Sequence, residues 1–270
     1  MAMFAALATA LLLPGFSPVA PGTAGGQVLE GTFPGTMRPG YVYLPPGFSA
    51  AVRYPVVYLL HGMRGSPSEY ITATQLPTFA DTEIASGRLR PFIAVMPAAG
   101  SSPDYNGEWA GPWERALVEQ VVPWVDAHLP TQRTATGRVL AGLSAGGFGA
   151  VDIGLRNPLL FGTIESWSGY FKPVLDGPFK NATRAELDAN DPRRLVVAEQ
   201  PLLSKTRFFV STGPPHSRWA PPSQTIDYAR RLRALGLRYA LRVYTSRRHE
   251  WRDQLDDGLR WALSVPTTHA

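Results

Sequence analysis

Short apolar runs recur along the chain, each bounded by turn residues. Residues 28–33 and 41–44 read as two strands joined by a Gly/Pro turn, and Pro45-Pro46-Gly47 closes the second. Residues 55–60 and 92–97 are continuous apolar runs of the kind buried on both faces of a parallel sheet, with a helix expected between them near 78–87. Residues 113–128 show helical spacing, with Leu117, Val121, Trp124 and Val125 on one face. Pro123 inside that run should kink or split the helix. Further strands are expected at 138–141, 163–168, 207–211 and 240–244. Helices are expected from about 147 to Asn157-Pro158, over 223–236, and from about 252 to 263. Strands alternating with helices imply a mainly parallel sheet covered on both faces.

Two stretches break the alternation. Residues 98–111 are polar, turn-rich and aromatic, and a connector that long is usually functional or disordered. Residues 170–201, punctuated by Pro173, Gly177-Pro178 and Asp191-Pro192, read as an insertion over the site with one helix near 184–189. Asn181-Ala182-Thr183 fits a glycosylation sequon, a tripeptide that also arises by chance.

A length of 270 residues suits one large α/β domain, expected over 27–265. Residues 1–16 are apolar and uncharged, and residues 18–26 are small and Pro/Gly-rich. Residues 1–26 therefore read as a signal peptide, though without a basic start, or as a disordered N-terminal segment. The run is short for a transmembrane helix. Export to the cell envelope or medium is the expectation, with membrane contact only through this segment if it is retained; a cytoplasmic location stays open. With no cysteine in the sequence, disulfides, thiolate metal sites and cysteine nucleophiles are excluded. The net charge of +5 is carried mainly by arginine and comes without basic runs interleaved with aromatics, so nucleic acid is not an expected partner. No metal constellation or phosphate-binding glycine loop stands out, and no cofactor is implied.

The candidate chemistry gathers at Gly142-Leu143-Ser144-Ala145-Gly146, between a predicted strand and a predicted helix. A strand, a G-x-S-x-G turn and a helix form the nucleophile elbow of the α/β-hydrolase fold. The turn lifts the serine hydroxyl above the sheet edge, and the helix start behind it favours an oxyanion. A sheet of about eight strands is expected. Acyl transfer by serine also needs a base and two oxyanion donors. Of the five histidines, His249 follows the last strand and precedes the last helix, the place in chain order where the base falls in this fold. The donors are expected to be the N–H of Ala145 and, after the 55–60 strand, the N–H of Met63; His61 beside it reads as loop support. The acid partner stays open between Asp176, Asp227 and none.

The sequence resembles the esterase family that includes S-formylglutathione hydrolases, enterochelin and feruloyl esterases, and mycobacterial mycolyltransferases. The resemblance runs from about residue 28 to 263. It rests on Val57-Tyr58-Leu59-Leu60-His61-Gly62-Met63, on the block from Val139 through Leu143-Ser144-Ala145-Gly146-Gly147 to Ala150, on Ser166-Trp167-Ser168-Gly169, and on His249-Glu250-Trp251. It implies the same roles for Ser144, His249, Met63 and Ala145, and places His216 where the family carries its acid. The expected activity is hydrolysis of a small-molecule, lipid or glycan ester through an acyl-enzyme on Ser144. Transfer of the acyl group to a sugar or lipid alcohol of the envelope, and a non-catalytic binding protein on the same scaffold, are the alternatives. Trp109, Trp167 and Trp219 would suit an envelope substrate or serve as core. Oligomeric state is left open.

Overall fold

The apolar runs pair into one nine-stranded sheet. The computed structural model describes residues 13–102, 105, 107–214, 220–246 and 250–265. Its strands are β1 (Phe16–Pro21), β2 (Gln27–Gly31), β3 (Gly40–Leu44), β4 (Val56–Leu60), β5 (Ile93–Met96), β6 (Arg138–Leu143), β7 (Thr163–Trp167), β8 (Arg207–Thr212) and β9 (Arg238–Val243). They lie in the order β1-β2-β3-β5-β4-β6-β7-β8-β9. The first three strands pair antiparallel, and β3 joins β5 the same way; from β5 to β9 every pairing is parallel. This is the α/β-hydrolase fold, with one strand more than expected.

The helices are α1 (Glu69–Thr72), α2 (Leu76–Ala85), α3 (Pro112–Arg115), α4 (Val122–His128), α5 (Ala145–Arg156), α6 (Arg184–Ala189), α7 (Pro192–Ala198), α8 (Pro222–Ala234) and α9 (Glu250–Leu263). Side-chain alternation along β4 assigns them to layers. Val56, Tyr58 and Leu60 face a core shared with α4, α5, α7 and α8. Val57 and Leu59 face a second core built with α2 and α9. Every residue of β4, β6 and β7 is buried, which is why β4 reads as a continuous apolar run, while β7 buries Thr163, Glu165 and Ser166 among its apolar residues.

Three local details beyond the sequence reading have physical causes. The additional strand, β1, falls in the span read as leader or disorder. Phe16 packs against Phe33 and Trp124 at ring-centroid distances of 4.8 and 5.3 Å, and the buried Asp81 carboxylate accepts hydrogen bonds from the Ala24 and Gly26 N–H groups and the Tyr43 hydroxyl, so residues 13–26 form a pinned edge hairpin. At Pro123 the helical run is split by a change of winding rather than ended. A π-helical segment, Ala116–Val121, precedes it, with the Val122 N–H donating to Leu117 O five residues back, and Pro123 enters the first turn of α4, where a missing N–H costs little. In the insertion α6 lies at 184–189, but α7 follows it: Asp191 caps the Arg193 N–H and Pro192 opens the helix, so the proline read as punctuation is a start signal.

Candidate active site

Strand β6 runs in the middle of the sheet and delivers Ser144 at its C-terminal end, directly before α5. Ser144 has φ 51° and ψ −114°, a strained backbone for a non-glycine residue. Sterics show what holds it. A Cβ on Gly142 would overlap the Gly146 carbonyl, and one on Gly146 would overlap the carbonyl of Leu60 at the end of β4. The bend is therefore as tight as backbone contact allows, and only glycine fits on either side of the Leu143-Ser144-Ala145 crest. The Ser144 N–H donates to Trp167 O at 2.9 Å, tying the crest to β7.

The loop after β4 crosses the elbow. A Cβ on Gly62 would stand 3.5 Å from Ser144 Cβ, so Met63, the next residue, follows a backbone that passes directly by the nucleophile. Ala145 is the first residue of α5, where backbone N–H groups lack intrahelical acceptors. Met63 and Ala145 belong to one apolar cluster with Phe148, Tyr170 and Phe179, the last two contributed by the insertion.

His61 fixes this loop from below. It is 2 % exposed; its Nδ1 lies 2.8 Å from Gly62 O, and the Ala99 N–H donates to Nε2 at 3.0 Å. Accepting at Nε2 leaves the proton on Nδ1, which donates to Gly62 O. Burial holds the imidazole down to about 4, so it is neutral at ordinary pH. Trp109 Nε1–H donates to His61 O at 2.9 Å, and Arg38 bonds the Ala99 and Ser102 carbonyls at 3.1 and 2.8 Å.

A cavity of about 370 Å³ opens at the nucleophile, lined by Gly62, Met63, Glu69, Leu143, Ser144 and Trp251 among others. Sequence reasoning passed over Glu69. Its signal was Ser66-Pro67-Ser68-Glu69, a helix-start pattern too short to register as an element. Trp251 follows the candidate base by two residues and starts α9 with Glu250. On the sheet's rim the buried Gln254 amide of α9 bonds Ser168 and Ser211, accepting from Ser211 Oγ at 2.6 Å and donating to Ser168 Oγ at 2.9 Å.

His249, His216 and Trp219 lie outside the described residues. Asp227 is exposed on α8 and pairs with Arg230 at 2.8 Å. Asp176 precedes a short turn in the insertion, where burial raises its carboxyl and one oxygen is buried without a partner among the described residues. Neither residue lines the cavity at Ser144. Trp109 and Trp167 are 2 % and 0 % exposed and belong to the core. Among the described residues no group of three or more His, Asp or Glu side chains could hold a metal ion, and no helix is long and apolar enough to cross a membrane.

Comparison with known proteins agrees with this fold. The Esterase family model ("Putative esterase") matches residues 32–262. The chain is 34% identical over 145 residues to an endo-1,4-beta-xylanase/feruloyl esterase of Xylanibacter ruminicola, covering 50% of this chain and 20% of that protein. It is 34% identical over 134 residues to an esterase of Mycobacterium tuberculosis, covering 47% of this chain and 28% of that one. The chain thus spans a fifth to under a third of the curated relatives it matches. Among solved structures, a ferulic acid esterase superposes with a TM-score of 0.71 at 21% identity, covering 92% of this chain and 96% of that one. An S-formylglutathione hydrolase of Staphylococcus aureus superposes with a TM-score of 0.69 at 16% identity, covering 92% and 99%. At these identities the structural likeness speaks for the fold.

Proposed function

The chain belongs to the esterase family, and from that premise we propose that it hydrolyses a carboxylic ester through an acyl-enzyme on Ser144, with His249 as general base and the Met63 and Ala145 N–H groups as oxyanion hole. The observation that carries this reading is the strained Ser144 backbone beneath the Gly62-Met63 loop, facing a cavity. In the proposed reaction Ser144 Oγ attacks the ester carbonyl while His249 takes its proton. The carbonyl oxygen gathers negative charge between two backbone donors, each worth on the order of 3 kcal/mol in the transition state. Collapse expels the alcohol, which takes the proton back from the imidazolium, and water releases the acid by the same steps. Support for His249 is indirect: Trp251, two residues on, lines the cavity with Ser144. The substrate is proposed to be an uncharged ester with an apolar part, in keeping with the feruloyl esterase activity named for one relative. Export is part of the same reading and rests on the apolar stretch of sequence that precedes the edge hairpin.

The test is steady-state hydrolysis of p-nitrophenyl butyrate and methyl cinnamate. Ser144→Ala and His249→Ala should each lower kcat by about 10⁴-fold or more, with folding intact by circular dichroism. Turnover within tenfold of wild type in Ser144→Ala would refute the proposal.

A further inference from the structure

The cavity at Ser144 is apolar on most of its wall, through Met63, Ala73, Leu143 and Trp251. Among the described lining residues other than Ser144, two carry side-chain hydrogen-bond acceptors, Thr74 and Glu69, while the Trp251 indole only donates. The hydroxyl of Thr74 is committed inward, donating to Tyr70 O at 2.9 Å. That leaves Glu69. Its carboxylate packs beside Gly65 of the oxyanion loop, where a glycine Cβ would stand 3.0 Å from Oε2. Among the described residues neither lysine nor arginine pairs with it, and the residue is only partly exposed. Burial raises its carboxyl above the ordinary value, opposed by the Ser66 backbone N–H.

An ionised carboxylate accepts hydrogen bonds and donates none. A single acceptor in an apolar cavity orients a ligand by its donor and repels anions. We infer that Glu69 is a specificity-determining residue, accepting a hydrogen bond from a hydroxyl on the half of the ester seated in this cavity and disfavouring esters that carry a carboxylate or phosphate there. The inference rests on Ser144 being the nucleophile, and it reaches beyond that reading by naming the group that the substrate must present. Leaving a desolvated carboxylate without its donor is the physical source of discrimination.

The experiment compares two matched pairs of esters on wild type and Glu69→Gln. Methyl 4-hydroxycinnamate against methyl 4-methoxycinnamate varies the acyl half, and 2-hydroxyethyl cinnamate against 2-methoxyethyl cinnamate varies the alcohol half. In wild type, kcat/KM should favour the hydroxyl member of one pair by about tenfold or more, and Glu69→Gln should shrink that ratio at least fivefold. Each ratio is taken within one preparation, so a lower folded fraction cancels. The same ratio is read as equilibrium affinity for Ser144→Ala with and without Glu69→Gln, so the inference is tested even where turnover is absent. Both pairs unchanged by the substitution, in rate and in affinity, would overturn the role of Glu69. A wild type that binds with the predicted ratio but turns over none of the four esters would instead overturn the catalytic reading.

Discussion

The two strands that flank β6 hold a buried titratable side chain in opposite ways. At the end of β4, both ring nitrogens of His61 have backbone partners, and burial keeps the ring neutral. On β7, Glu165 is 0 % exposed; Oε2 accepts from the Trp167 indole at 3.0 Å, while Oε1 and the neighbouring Ser166 Oγ are buried with no partner among the described residues. Burial pushes the Glu165 carboxyl up to about 8. The first flank carries the loop proposed to supply an oxyanion donor, and the ring of its histidine is satisfied at both nitrogens, although the Tyr58 hydroxyl on β4 is buried with no partner among the described residues. The second flank lies under α9, where a Cβ on Gly258 would overlap Glu165 Oε2, and it retains an unmet polar cost. The side that must be precise is thus insulated from pH across the neutral range, while the side supporting the helix after His249 titrates near neutrality.

Breaking the β4 side should have the largest effect. Gly146→Ala drives a Cβ into the Leu60 carbonyl, and because both partners are backbone neither can yield. The expected cost exceeds about 5 kcal/mol, enough to leave little folded protein by urea titration. A variant that folds normally and retains turnover would show that the bend has slack.

The β7 side is sharpened by Glu165→Gln. The folded carboxyl titrates near 8 against an unfolded value of 4.5, so its contribution is full below 4.5 and is lost as pH rises toward 8. Removing the ionisation should stabilise the protein by about 4 kcal/mol at pH 8 and by almost nothing at pH 4.5, read as the difference in urea midpoints. Equal gains at both pH values would mean that Glu165 is not held neutral.

The smallest effect belongs to His61 and is seen most clearly in the Glu165→Gln background. Its folded value near 4 lies below the ordinary 6.5, so the unfolded chain takes up the proton first as pH falls. Stability from this group is full above 6.5 and falls by about 3 kcal/mol by pH 4. With Glu165 present, the two slopes oppose each other between 4.5 and 6.5. A variant whose stability is level from pH 6.5 to 4 would contradict the neutral, fully bonded imidazole.

How much of this was legible in the sequence follows the same division. The elbow was, because its sterics are local: Gly142 and Gly146 flank the serine at the spacing where strand and helix backbones collide. The buried strands β4 and β5 were too, since burial on both faces writes a continuous apolar run. The edge strand β1 was not, because an apolar run such as residues 13–16 looks alike whether it is destined for a membrane, a protease or the side of Trp124. Glu69 escaped because its importance arises only when a four-residue helix brings it to the cavity beside Ser144, more than seventy positions away. Trp109 and Trp167 look in sequence like substrate platforms or core, and only burial decides.

The most direct test of the central claim is covalent. Treated with a fluorophosphonate and analysed by peptide mass mapping, the wild-type protein should take up one label per chain on Ser144, and Ser144→Ala should take up none. Stoichiometric labelling of Ser144→Ala, or a label mapped to another serine, would contradict the account.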